Sequence, residues 1–150
     1  MSIEDDVALL ERVPTLRLLG NAALRVLAIS SEQQQFARGS ILFRAGEESD
    51  GGFVVQDGAF RIHSDDDGNN QEVVAERGAL MGELALIVAM PRPATATALE
   101  YSTVIRIPRT LFQRVLDSDP AAARRLRDEL ANRTRQATSD IVMASAKLSI

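Results

Sequence analysis

Apolar residues recur at helical spacings over residues 3–29, supplied by Val7, Leu9, Leu10, Val13, Leu16, Leu18, Leu19, Ala23, Leu24, Val26 and Leu27. Pro14 and Gly20-Asn21 break this stretch into two or three short helices. Such helices are expected to cover one face of a sheet, the alternative being a dimer surface. From Gln33 the period shortens. β-prone runs at 34–37, 40–43, 52–56, 59–63, 72–75, 80–81, 95–99 and 103–107 are separated by Arg38-Gly39, Ala45-Gly46, Asp57-Gly58, the polar segment Asp65 to Asn70, and Gly78. Short strands with closely spaced turns predict an antiparallel sandwich or jelly roll, and Asp57-Gly58 reads as a two-residue hairpin. After Pro108 the helical period returns through Leu111, Phe112, Val115 and Leu116. Asp119-Pro120 marks the start of a last helix predicted to run to about Ala146. Its stripe of Leu130, Thr134, Ala137, Ile141, Ala144 and Leu148 is expected to pack on the strands.

At 150 residues the chain is read as one domain, with the charged and apolar content of an ordinary soluble protein. A net charge of −4 argues against broad electrostatic binding of nucleic acid. With no cysteine there is no disulfide or thiol chemistry, and no apolar run suits a membrane span or secretory leader. A cytoplasmic location follows as the default. His63 is the sole histidine, too few for a metal-dependent jelly-roll enzyme, and no Gly-x-Ser-x-Gly elbow is present. No catalytic residue and no metal site is therefore assigned. The Asp65 to Asn70 segment lacks the terminal glutamate of a calcium loop and is expected to be an exposed hairpin tip.

The candidate chemistry lies in residues 81–95, Met-Gly-Glu-Leu-Ala-Leu-Ile-Val-Ala-Met-Pro-Arg-Pro-Ala-Thr. Gly82 permits close approach of backbone or ligand. Leu84 to Val88 can form about one or two helical turns, whose first N–H groups lack intrahelical acceptors and suit an anion. Arg92 offers a guanidinium fork for phosphate, and Glu83 an acceptor for a hydroxyl such as a ribose 2′-OH. Together they describe a sugar-phosphate cradle. By spacing alone, an ordinary salt bridge or a pair of solvated charges is the competing reading.

Gly82-Glu83-Leu84-Ala85-Leu86, followed by Pro91-Arg92 and Ala94-Thr95, resembles the phosphate-binding cassette of cyclic nucleotide-binding domains. Phe36, Gly39, Ile41-Leu42-Phe43, Gly46-Glu47, Asp50, Phe53-Val54-Val55 and Gly58 match the first half of that family in order and spacing. The resemblance covers roughly residues 5–146. It implies a mainly β, α+β fold: an eight-stranded antiparallel β-roll with N-terminal and C-terminal helices packed on it. Residues 1–32 would be the helical cover, 33–108 the roll with its cassette at 81–95, and 109–150 the closing helices.

The same resemblance implies a ligand site of Gly82, Glu83, Leu84, Ala85, Arg92, Pro93, Ala94 and Thr95, with Val73 beside the base. Arg92 would pair with the cyclic phosphate and Glu83 with the ribose 2′-OH, while N–H groups near Leu84 and Ala85 complete the cradle. Losing Arg92 should weaken binding about tenfold to a hundredfold or more. The last helix would swing over the nucleotide, with Ile141, Val142 or Met143 capping the purine. Pro93 departs from the pattern, having neither N–H nor hydroxyl. That removes roughly 1 kcal/mol of phosphate binding and the usual basis for cGMP preference. The expected ligand is cAMP, then cGMP, with no other cofactor. The alternative is a degenerate pocket on an interaction or structural domain. The few residues after the last helix leave no room for a DNA-binding, kinase or channel unit. A stand-alone sensor is expected, acting through an unidentified protein or a homodimer.

Overall fold

The computed structural model describes residues 2–64 and 72–143, and the side chains of its last helix as far as Arg133. Three short helices come first: α1 (Ile3–Glu11), α2 (Pro14–Arg17) and α3 (Asn21–Ser30). Ser2 caps α1 by accepting the Asp5 N–H, and the Asp5 carboxylate accepts the Ser2 N–H in return. Glu4, Asp5 and Asp6 fill the first turn, where the helix dipole favours negative charge. Pro14 occupies the start of α2, a position that needs no N–H donor.

Eight strands follow among the described residues: β1 (Glu32–Phe36), β2 (Ile41–Phe43), β3 (Gly51–Asp57), β4 (Ala59–His63), β5 (Glu72–Glu76), β6 (Leu80–Met81), β7 (Thr95–Ala98) and β8 (Ser102–Pro108). They form two antiparallel four-stranded sheets, ordered β1-β8-β3-β6 and β2-β7-β4-β5. Two helices close the chain, α4 (Arg109–Ser118) and α5 (Pro120–Met143). The Asp119 carboxylate accepts the Ala122 N–H at 3.1 Å, the cap that the Asp-Pro pair predicts.

The apolar residues divide into two cores. Phe53, Val55, Phe60, Met81, Ala96 and Val104 fill the space between the sheets. On the other face of the first sheet, Val54, Ile105 and Ile107 meet Leu10, Leu16, Leu24 and Leu27 of the N-terminal helices, with Phe112 and Val115 of α4. β3 is thus covered on both faces, which is why its residues 51–55 form a small-or-apolar run instead of an alternation. The N-terminal cover is shared. Ala122 and Leu126 of α5 join the same cluster and Leu130 packs against it.

The Asp57-Gly58 expectation is corrected. β3 and β4 do not pair; they belong to different sheets, so these residues make a corner. The cause is local. Gly58 has φ +88°, and a Cβ there would lie 2.2 Å from Ser102 Oγ. The buried Ser102 hydroxyl accepts the Ala59 N–H at 3.1 Å and donates to the Glu100 carbonyl at 2.9 Å, drawing the chain across to the second sheet. The Asp65 to Asn70 segment lies outside the described residues, as do the side chains of Ile141, Val142 and Met143.

Candidate anion-binding site

Residues 82–94 connect the two sheets, leaving β6 in one and entering β7 in the other. The segment predicted to make one or two helical turns makes a single 3₁₀ turn, Leu84–Leu86. Leu86 anchors it in the helical core, Ala85 is buried, and Leu84 is exposed. The returning limb runs beside residues 46–49. Arg92 donates its N–H to the Glu47 carbonyl at 2.7 Å, and its own carbonyl accepts the Gly46 N–H at 2.8 Å.

This backbone pairing presents the Arg92 side chain to the roll interior. Its guanidinium carbon lies 4.4 Å from the Phe43 ring centre and 5.5 Å from that of Phe53. The two rings stack at 6.0 Å, so the cation rests on a preformed aromatic bed. Arg92 is only 5 % exposed. Its Nη1 is buried without a hydrogen-bond partner among the described residues. The neighbouring Asp50 carboxylate pairs instead with Arg106 Nη2 at 2.5 Å. Burial pushes the Arg92 guanidinium below the ordinary arginine pKa, with Asp50 opposing that shift and Arg109 adding to it. The group keeps its charge at neutral pH. A buried cation with an unfilled donor is costly, and an anion would relieve that cost.

Gly82 makes room for this group. Its φ is +83°, and a Cβ would sit 2.5 Å from Arg92 Nη1. Glycine is required by conformation and by contact together.

The interior face extends away from Arg92 along one row of cross-strand partners. Phe43 pairs with Ala96, Ala96 with Ile62, and Ile62 with Val73. Directly opposed residues share a face, and three strand spacings span roughly 14 Å. The row starts at the guanidinium's aromatic bed and ends on Val73, 52 % exposed. An acidic group held at Arg92 would therefore have an apolar floor beside it.

The remaining predicted residues divide. Pro93 is exposed and Ala94 half-buried, at the entry to β7. The Thr95 hydroxyl accepts the Ala45 N–H at 3.0 Å, bracing the loop beside Arg92. Glu83 points the other way, into the helical layer. Its Oε2 accepts the Thr15 hydroxyl of α2, and its Oε1 accepts Arg133 Nη1 of α5 at 2.9 Å. The structure thus brings Gly82 to Arg92, and joins Glu83 to two residues that sequence reasoning did not select. Arg133 lies three positions after Leu130, so the helical repeat that places Leu130 inward also carries Arg133 toward the cassette. Thr15 carried no comparable signal.

Sequence reasoning also passed over Arg109, the first residue of α4. It donates from Nε to the Ala85 carbonyl at 2.9 Å and from Nη2 to the Ser49 carbonyl at 2.7 Å. Ser49 Oγ in turn donates to the Met90 carbonyl at 2.6 Å. One arginine and one serine therefore fix both ends of the cassette.

Against known proteins, the cyclic nucleotide-binding domain profile matches residues 33–119, which contain Gly82, Glu83 and Arg92. The chain is 29 % identical over 131 residues to lysophospholipase nte1 of Aspergillus fumigatus, covering 86 % of this chain and 9 % of that protein. It thus spans under a tenth of that relative's length. Among solved structures, the N-terminal domain of a transcriptional regulator from Streptomyces coelicolor superposes with a TM-score of 0.80 at 28 % identity. That match covers 93 % of this chain and 99 % of the other. A cyclic nucleotide-binding-like protein from Brucella abortus matches at TM-score 0.67 and 31 % identity, covering 75 % and 98 %. A two-sheet roll flanked by helices, a glycine shaped around a buried arginine and a profile spanning both converge: the chain belongs to the cyclic nucleotide-binding domain family.

Proposed function

We propose that this domain is a non-enzymatic sensor that binds a cyclic nucleotide, cAMP in preference to cGMP, and converts occupancy into movement of α5. The observation that carries the reading is Arg92, a buried guanidinium on two aromatic rings with Nη1 unfilled. A cyclic phosphate supplies the missing acceptor, and a charge-assisted hydrogen bond contributes roughly 1.5–3 kcal/mol. The purine then lies along the Phe43–Ala96–Ile62–Val73 row, with Glu83 the acceptor for the ribose 2′-OH and the Leu84 and Ala85 amides on the phosphate. Pro93, without N–H or hydroxyl, supports cAMP over cGMP. A cytoplasmic setting and a downstream protein belong to the same reading. No helix among the described residues is long and apolar enough to cross a membrane.

A second reading is favoured by one observation, the engagement of both Glu83 oxygens by the chain itself. On that reading the domain holds partners without a nucleotide. Calorimetric titration decides between them. The sensor reading expects saturable cAMP binding near or below about 10 µM, about −7 kcal/mol. It also expects weaker cGMP binding, and loss of at least tenfold in Arg92→Ala. Absence of heat and of thermal stabilisation with either nucleotide at millimolar concentration leaves the second.

A further inference from the structure

Thr15, Glu83 and Arg133 form a closed ring of hydrogen bonds between three distant parts of the chain. The Thr15 hydroxyl donates to Glu83 Oε2. Arg133 donates from Nη1 to Glu83 Oε1 and from Nη2 to Thr15 Oγ1, each at 2.9 Å. A threonine hydroxyl has one proton to give and lone pairs to receive, so Thr15 serves the carboxylate and the guanidinium together. Glu129, one turn earlier on α5, forms an ion pair with Arg133, its Oε1 3.5 Å from Nε. Thr15 is 1 % exposed, so this ring is sealed on the α2 side and half open at Glu83 and Arg133.

Glu83 is the only carboxylate in the cassette, and in this arrangement it faces the helices while Arg92 faces the roll. We propose that Thr15 and Arg133 set how strongly a ribose 2′-hydroxyl is recognised, because they compete with it for Glu83. The inference rests on the nucleotide reading above and assigns two residues to hydroxyl discrimination. A ligand with the 2′-hydroxyl draws Glu83 off the ring and frees Arg133, loosening the hold of α5. A ligand lacking that hydroxyl fills Arg92 and leaves the ring closed.

The test uses the full chain with cAMP and 2′-deoxy-cAMP, and reads the ratio of their affinities. Effects on the phosphate end cancel in that ratio. Arg133→Ala should raise the preference for cAMP roughly threefold to tenfold, the range for a half-exposed ion pair carrying charged hydrogen bonds. Thr15→Val should raise it in the same direction. Glu83→Ala, alone or with Arg133→Ala, should give a ratio near one, because no side-chain acceptor for the hydroxyl remains. An unchanged ratio in both Arg133→Ala and Thr15→Val overturns the competition. A lowered ratio also overturns it, since the pair would then be positioning Glu83 for the hydroxyl. Failure of both nucleotides to bind the unaltered protein, by contrast, removes the nucleotide reading itself.

Discussion

Replacing Arg92 with methionine should make the empty domain more stable and the nucleotide-bound domain less so. Arg92 is buried with Nη1 unpartnered, and its acidic neighbour Asp50 is committed to Arg106. An unsatisfied buried donor costs about 1–3 kcal/mol, more when charged, and exchanging buried ionic groups for apolar ones of similar volume is often stabilising by about 1–4 kcal/mol. Against this stands the loss of the contacts with Phe43 and Phe53, about 0.5–2 kcal/mol for cation–π attraction. Methionine keeps much of the side-chain volume and a favourable sulfur–aromatic contact. The expected net gain is about 1 kcal/mol, roughly 2–4 °C in Tm for a domain of this size. Ligand reverses the order. At a hundred times its Kd, cAMP would stabilise the unaltered protein by about 2.7 kcal/mol, whereas a variant that binds about a hundredfold more weakly would gain only about 0.4 kcal/mol. Thermal and urea unfolding with and without nucleotide should therefore give melting curves that exchange rank. An empty Arg92→Met domain that is less stable by more than about 1 kcal/mol would refute the reasoning, since the guanidinium would then be satisfied within the protein itself.

Gly58→Ala should destabilise by about 3 kcal/mol or more, because its Cβ would meet Ser102 Oγ at 2.2 Å and backbone Cα at 2.7 Å at a φ of +88°. Urea denaturation checks this, and a loss below about 1 kcal/mol would show that the corner between the sheets is free to move. Asp6→Asn tests a titration. Burial raises the Asp6 carboxyl above 3.8, while the hydrogen bond from Gln56 opposes the shift. A raised folded-state pKa means that this group's contribution to stability is full below pH 3.8 and is lost as pH rises through the folded value. At pH 7 the amide should thus be neutral or stabilising by up to about 0.5 kcal/mol, the difference vanishing in acid; a loss above about 1 kcal/mol at pH 7 contradicts it.

The change of hydrophobic period at Gln33 and again at Pro108 located the boundaries between helices and strands, because period reports which face of each element is buried. Turn chemistry was less informative. Asp57-Gly58 has the composition of a hairpin, yet the same glycine serves a corner when a distant serine captures the chain. Nothing within a few residues of Gly58 encodes Ser102. The candidate site shows the same division. Gly82 and Arg92 were legible because close approach selects glycine and an anion selects a guanidinium, and the cassette pattern places the two together. Phe43 and Phe53 were visible as strand residues, but their stacking beneath Arg92 depends on pairing between two sheets. Thr15 was hidden entirely, since a helical threonine beside a proline looks like a capping or surface residue.

Two routes lead from the cassette to the helices, and they differ in stiffness. The first passes through Arg109, which follows β8 without a break and holds the Ala85 and Ser49 carbonyls, while Ser49 holds Met90. These bonds are part-buried and end on backbone atoms, so moving them requires shifting the chain. The second passes through Glu83, one residue beyond Gly82, and consists of side chains alone. Its ion pair with Arg133 is half-exposed, the class of interaction whose net worth is small enough for a single ligand hydrogen bond to rival. Met81 packs in the roll, Gly82 lies against Arg92, and Glu83 meets α2 and α5, so three consecutive residues cross from one core to the other. On the proposed sensor reading, a ligand at Arg92 would meet one fixed strut and one exchangeable contact, and the exchangeable one is where occupancy would be converted into helix movement.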